Sequence, residues 1–262
     1  MLACLLTVNA AAQGWPKNYN GVMLQSFYWD SYSATQWTNL KSQAQELSQY
    51  FNLVWLPQSG NCGGTSMGYD DLYWFPGGNH YTSSFGTEAQ LRDLITTFKN
   101  NGIGTIADVV INHRKTSSGW FGFPSETYNG VTYSMSSTDV CSDDDKGEAQ
   151  KQATSLGVSL GNPECQSEVY SDKCEGWNGM RDLDHTSTNV QTVVKAYLNM
   201  LLSDLGYTGF RYDMVKGYPG AYTGQYNKAS GVAYSVGEFW DGLAANVKKW
   251  IDATKVDGSI QS

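Results

Sequence analysis

Apolar residues in this chain fall into two patterns, short dense runs and longer runs at helical spacing, which alternate along the sequence. Gly21–Trp29 (GVMLQSFYW) predicts a strand, and Thr35–Tyr50 an amphipathic helix with Trp37, Leu40, Ala44 and Leu47 on its apolar face. Asn52–Pro57 (NLVWLP) is nearly all apolar, the pattern of a strand covered on both faces. Thr87–Asn101 predicts a helix, with Thr87 as cap and Gly102 as stop. Ile103–Ile111 (IGTIADVVI) predicts a third strand. A helix over Asn189–Leu205, stopped by Gly206, leads to strands within Gly209–Gly217 and Val232–Trp240, and a last helix covers roughly residues 242–254. Repeated strand–helix units of this length imply parallel strands with helical crossovers. Either a (β/α) barrel or an open doubly wound sheet satisfies that order. No GxGxxG or Walker pattern follows the first strand, which weakens a nucleotide-binding version.

Two stretches break the rhythm. Ser59–Gly86 is a glycine-rich loop carrying Tyr69, Asp70, Asp71, Trp74 and His80. Residues 115–180 are rich in Ser, Gly, Asp and Asn, with only short aromatic runs. A structureless loop of that length is foreign to a compact domain. The expectation is a small, irregular subdomain inserted after the third strand.

Charge changes the reading of the central strand. In GFRYDMVKG (Gly209–Gly217), Phe210, Tyr212, Met214 and Val215 are strand formers, yet Arg211, Asp213 and Lys216 interrupt them. Charges are rarely buried without a partner or a task. The next strand also ends on an acid, Glu238. An Arg211–Asp213 ion pair with Glu238 as a helix-start acid is one account. A nucleophile and a proton donor on neighbouring strand ends, on opposite sides of a glycosidic bond, is the other. Two such ends in succession favour catalysis. The net charge of −8 argues against nucleic acid or an anionic membrane as partner. The nine Trp and seventeen Tyr suit either core or sugar rings. No window approaches the roughly twenty apolar residues of a membrane span.

The opening MLACLLTVNAAAQG has the apolar core and small-residue end of a secretory signal, which makes the expected location extracellular; a buried first strand is the alternative. Cys62, Cys141, Cys165 and Cys174 show no CxxC and no paired histidine spacing, so one or two disulfides are the expected use rather than zinc. Their pairing is open.

Four blocks in order, DVVINHR (Asp108–Arg114), RDLDH (Arg181–His185), GFRYDMVKG and VGEFWD (Val236–Asp241), resemble those of alpha-amylases in the large retaining glycoside hydrolase family. MLQSFYWDSY (Met23–Tyr32) and GYDDLY (Gly68–Tyr73) resemble the same enzymes, so the similarity runs from about residue 21 to residue 262. The resemblance implies a partial (β/α)8 TIM barrel of about five strands acting on α-1,4-glucans. Residues 1–12 are then a signal remnant, 13–114 and 181–262 barrel, and 115–180 the insertion. It also implies Asp213 as nucleophile and Glu238 as acid/base. Tyr69, Asp108 and His113 would line the cleaved sugar's subsite, with Arg211, Lys216 and Trp240 as further substrate-binding positions. Taken alone, His113 reads more readily as a structural histidine, and its place at a strand's C-terminal end inside the matched block reverses that.

Residue chemistry was expected to divide the labour. Arg211 should keep Asp213 ionised, while Glu238, with no adjacent cation in sequence, should have a raised pKa. Calcium is the implied cofactor, held by Asn112, Asp182 and the Gly217 carbonyl, with Asp143–Asp145 a further acidic candidate or simply a solvated run. The complete protein is expected to be a monomer. Two departures stand out: Met180–Arg181 replaces a common Leu-Pro, and the sequence ends before the family's third acid. A barrel halted at five strands should leave its first and last strands as exposed edges.

Overall fold

A computed structural model describes residues 14–77, 80–163, 167–168 and 179–262. The segment read from sequence as a secretory signal, Cys165 and Cys174 lie outside them. Five parallel strands form one sheet: β1 (Met23–Gln25), β2 (Leu53–Leu56), β3 (Gly104–Val109), β8 (Gly209–Tyr212) and β9 (Tyr234–Gly237), paired in the order β1-β2-β3-β8-β9. All four pairings are parallel. The sheet is half of a TIM barrel, in agreement with the fold expected from sequence.

Helices cross between the strands. The span 35–50 is not one helix but two short ones, α1 (Trp37–Ser42) and α2 (Ala44–Leu47), meeting at Gln43. The helix α3 (Glu88–Asn100) starts as predicted: the Thr87 hydroxyl accepts from the Gln90 N–H while the Gln90 side chain accepts from the Thr87 N–H. Its buried face, Leu91, Leu94, Ile95 and Phe98, keeps helical spacing. After α5 (Thr188–Met200) a π turn over Leu201–Leu205 carries the chain to β8. A further crossover, α6 (Gly220–Ser230), has no clear apolar stripe and was not anticipated from sequence. The last helix is α7 (Ala244–Ala253). Among the described residues no helix is long and apolar enough to cross a membrane.

The insertion is more regular than its composition suggests. Strand β4 (His113–Lys115) pairs antiparallel with β7 (Met180–Asp182), closing the insertion at its base. Between them lie a hairpin, β5 (Glu126–Tyr128) with β6 (Val131–Tyr133), and the helix α4 (Asp144–Leu156). The hairpin turns on Asn129 and Gly130, both at positive φ as a tight primed turn requires. Phe75 stacks between Tyr128 and Tyr133 at 5.4 and 4.8 Å, which ties the hairpin to the 59–86 loop.

Nor is the last strand's edge left bare. The Ser235 N–H donates to the Gly14 carbonyl at 2.5 Å. Trp15, Tyr19 and Tyr234 pack edge-to-face in a triangle of 5.2–5.6 Å. The segment before β1 therefore reaches β9, at the far end of the sheet. That backbone hydrogen bond and the aromatic triangle together cover part of the edge expected to be exposed.

Candidate active site

The parallel register puts three acids around one cation. Arg211 on β8 pairs with Asp108 on β3 and with Val236 on β9, so Asp213 and Glu238 both lie two residues further along. The Arg211 Nη1 donates to Asp108 Oδ1 at 2.7 Å and to Asp213 Oδ1 at 2.8 Å, and its Nη2 lies 2.8 Å from Glu238 Oε2. The guanidinium rests 4.6 Å above the Trp55 ring, a platform contributed by β2. Asp108 and Asp213 are buried, while Glu238 faces a cavity of about 520 Å³ lined by residues 238–242.

This arrangement corrects the division of labour expected from sequence. Burial pushes Asp213 well above the usual carboxylate range, Asp108 adds to the rise, and Arg211 only partly opposes it. Asp108 is likewise raised by burial against the pull of Arg211. For Glu238, burial acts upward but is outweighed by Arg211, then by the Trp240 indole and the Met214 N–H, and its pKa falls. Glu238 does have a cation beside it. Sequence adjacency hid that cation because it comes from the neighbouring strand. Asp213 and Glu238 also lie side by side, each 2.8 Å from the shared guanidinium.

The other predicted positions surround this hub. The Tyr69 hydroxyl donates to Asp108 Oδ2 at 3.2 Å, and its ring lies parallel to exposed Trp29, centroids 6.1 Å apart. His113 is buried, and its Nε2 lies 2.8 Å from the Tyr69 carbonyl, so here it supports Tyr69. The Lys216 amine donates to the Trp240 carbonyl at 2.6 Å and lies 5.2 Å from the Phe239 ring centroid, pinning the loop after β9. Trp240 is exposed. Trp29 and Trp55 were missed as site residues. Their apolar neighbours made them read as strand; Trp55 does lie in β2, whereas Trp29 stands in the turn that follows β1.

Asn112, Asp182 and Gly217 come together at the base of the insertion. The Asn112 amide donates to Asp182 Oδ1 at 3.1 Å. A Cβ on Gly217 would fall 1.7 Å from Asn112 Oδ1, so only glycine fits there. Asp144 adds a buried carboxylate oxygen with no hydrogen-bond partner. Burial raises the Asp144 pKa to about 7 against the pull of Arg181, and the same carboxylate accepts from the Asp182 peptide. A carboxylate, an amide oxygen and an orphaned carboxylate oxygen form a donor set that fits a hard cation. Among the described residues there is no group of three or more His, Cys, Asp or Glu side chains of metal-binding arrangement, so such a site would depend on amide and peptide oxygens. Arg181, which stands in place of proline, lies 3.6 Å over the Trp120 ring and holds β7 to the insertion. Cys62 is a buried thiol.

His185, for which the sequence suggested no role, is fully buried between this junction and the barrel. Its Nε2 donates to the Ile111 carbonyl at 3.0 Å, which leaves Nδ1 to accept from the Tyr226 hydroxyl at 2.7 Å; the ring stacks on Tyr218 at 4.4 Å. Burial lowers its pKa to about 4, opposed by the Ile111 hydrogen bond. The folded value lies below the unfolded one, about 6.5. This contribution is therefore complete above pH 6.5 and is lost as pH falls towards 4, by about 3 kcal/mol in total. Urea unfolding at pH 7 and at pH 4.5 should show this loss in the wild type and much less of it in His185→Gln. Equal acid sensitivity in both proteins would remove His185 as its source.

The family model described as "Alpha amylase, catalytic domain" matches residues 65–261. The Arabidopsis thaliana protein named "Probable alpha-amylase 2" is 28% identical over 250 residues, covering 89% of this chain and 54% of the relative. Among solved structures, an alpha-amylase from Malbranchea cinnamomea superposes with a TM-score of 0.59 at 22% identity, covering 88% of this chain and 49% of that one. A mutant of alpha-amylase I from Eisenia fetida, in complex with maltohexaose, gives 0.60 at 18% identity, covering 88% and 47%. The chain spans about half the length of these relatives.

Proposed function

The chain belongs to the alpha-amylase family of glycoside hydrolases, and from that premise we propose that the complete protein cleaves internal α-1,4-glucosidic bonds of starch- or glycogen-type glucans with retention. The observation that carries the reading is the set of three carboxylates on adjacent strand ends around Arg211. Asp213 attacks the anomeric carbon and Glu238 protonates the departing oxygen. Glu238 then takes a proton from the water that releases the glycosyl–enzyme. Asp108, Arg211 and Tyr69 orient the sugar and the nucleophile, while His113, Lys216 and Trp240 support or extend the binding face. For this chemistry Glu238 must be protonated when substrate is bound. The same reading makes the protein a secreted monomer.

Incubation of the complete protein with soluble starch tests this. Internal chain scission with α-anomeric product appearing first in the NMR spectrum supports it, and β-anomer first refutes retention. A second reading, glucan binding without hydrolysis, is favoured by the Arg211–Glu238 ion pair, which holds the proposed acid in its ionised form. Tight binding with no release of reducing ends would select it.

Calcium fits the same reading as a structural cation. Asn112, Asp182 and the Gly217 carbonyl would hold it, with Asp144 beside them, and its charge would fasten the insertion to the strand ends. An ion that binds only the folded state stabilises by about 2.7 kcal/mol at one hundred times its Kd. Chelation should lower Tm, and Asp182→Ala should abolish most of that response. An unchanged melting curve with chelator would contradict calcium binding.

A further inference from the structure

Trp240 is the most exposed large apolar side chain among the described residues, at 79%. No described ring stacks on it, and its indole makes one hydrogen bond, from Nε1 to Glu238 Oε1 at 2.6 Å. The backbone beneath it is fixed. The Lys216 amine holds the Trp240 carbonyl, and Phe239 turns the other way, 6.1 Å from Trp250. Only the indole is thus free to rotate. At the other end of the bond, Glu238 Oε2 already faces two donors, the Met214 N–H at 3.1 Å and Arg211 at 2.8 Å. Met214 adopts a left-handed conformation, φ 44°, uncommon for a residue other than glycine. That turn aims its N–H at Glu238. Oε1 is therefore the oxygen on which a proton could reside, and Trp240 occupies it.

We propose that Trp240 is a substrate-sensitive latch on Glu238: while its ring is bare the indole N–H holds Oε1, and a sugar ring stacking on the indole face swings the N–H away and frees Oε1 to take a proton. The proton is taken up from bulk solvent through the open cavity, as hydronium or from the acid form of the buffer, and the net charge of the site rises by one. A donor to a carboxylate stabilises the ionised form, so removing it favours the acid that glycosidic cleavage requires. The remaining charges facing Glu238 are Arg211 on β8, Asp213 just beyond it and Asp108 on β3. Arg211 stays in place throughout, so the indole is the switchable element. Trp240 is in this sense a positioning residue. The inference rests on the glucan reading of the site and adds to it a coupling between sugar binding and acid protonation.

The test follows the Glu238 carboxyl by NMR in the ¹³C-glutamate-labelled chain, with Glu238→Gln identifying the signal. Trp240→Phe keeps an aromatic face and removes only the N–H. Because the side chain is solvent-exposed, neither this variant nor Trp240→Ala threatens the fold. In the free protein, the titration midpoint of Glu238 should be higher in both variants than in the wild type. Saturating maltohexaose should raise the wild-type midpoint towards that of Trp240→Phe and leave the variant's own midpoint in place. An unchanged midpoint in free Trp240→Phe overturns the latch. So does an equal sugar-induced rise in wild type and Trp240→Phe, while the glucan reading survives either result. Failure of the wild type to bind maltohexaose overturns both.

Discussion

Asp213→Asn in the complete protein should reduce starch turnover by about 10⁴-fold or more, the scale on which removal of a reacting group registers. Asn has nearly the same shape, and its carbonyl oxygen can still accept from Arg211, which donates to Oδ1 of the native side chain. Folding and glucan binding should therefore survive, and the loss should appear in kcat. Glu238→Gln should be comparably inactive on starch for a different reason: the amide has no proton to give to the departing oxygen. A glycoside whose leaving group is already a stable phenolate separates the two roles. It needs no proton at the first step, so Glu238→Gln should recover that step and Asp213→Asn should not. Near-normal starch turnover in either variant, or recovery in Asp213→Asn, would overturn the assignment.

The largest stability effect expected lies away from the reacting carboxyls. Arg114 and Glu126 form a buried ion pair, with side-chain exposures of 1% and 6%. Arg114 also donates to the Leu72 carbonyl at 2.8 Å and lies 4.6 Å over Trp74, while Glu126 accepts from the Trp74 and Phe75 N–H groups at 2.9 and 2.8 Å. Between them they fasten the β5–β6 hairpin to the 59–86 loop that carries Tyr69. Glu126→Ala strands a buried guanidinium and two peptide N–H groups, and should cost about 3–5 kcal/mol. Urea unfolding measures it. The paired change Arg114→Met with Glu126→Leu leaves no unpaired charge and should recover part of the loss. A cost below about 1 kcal/mol for Glu126→Ala would mean that water reaches the pair and that the hairpin is not anchored there.

Much of the architecture was legible in the sequence because its causes are local. The all-apolar LVWL run, the Thr87–Gln90 cap and the glycine after Leu205 act within a few residues, and the predicted strands and helices stand where their patterns placed them, most of them shortened at the ends and the 35–50 helix broken in two at Gln43. Local rules failed where tertiary contact overrode pattern. The helix α6 buries Tyr226 and Asn227 without an apolar stripe, since Asn227 is satisfied by Tyr212, Ser235 and the Gln261 carbonyl. The hairpin in the insertion carries its own local signal in the Asn129–Gly130 turn, and Phe75, far away in sequence, decides where it docks by giving its tyrosines a ring to stack on.

The sequence by itself determined the ordered blocks, and with them the family, the sheet's strand order and which acids reach the strand ends. Tertiary structure decided what state those acids are in. Asp108 and Arg211 are 103 residues apart, yet register sets them side by side, and the same lateral alignment brings Glu238 to the same guanidinium. Electrostatic energy depends on distance and burial in space. One cation shared among three carboxylates therefore lowers the pKa of the half-exposed acid and cannot hold down that of the buried one, a reversal that no reading of neighbours along the chain could supply.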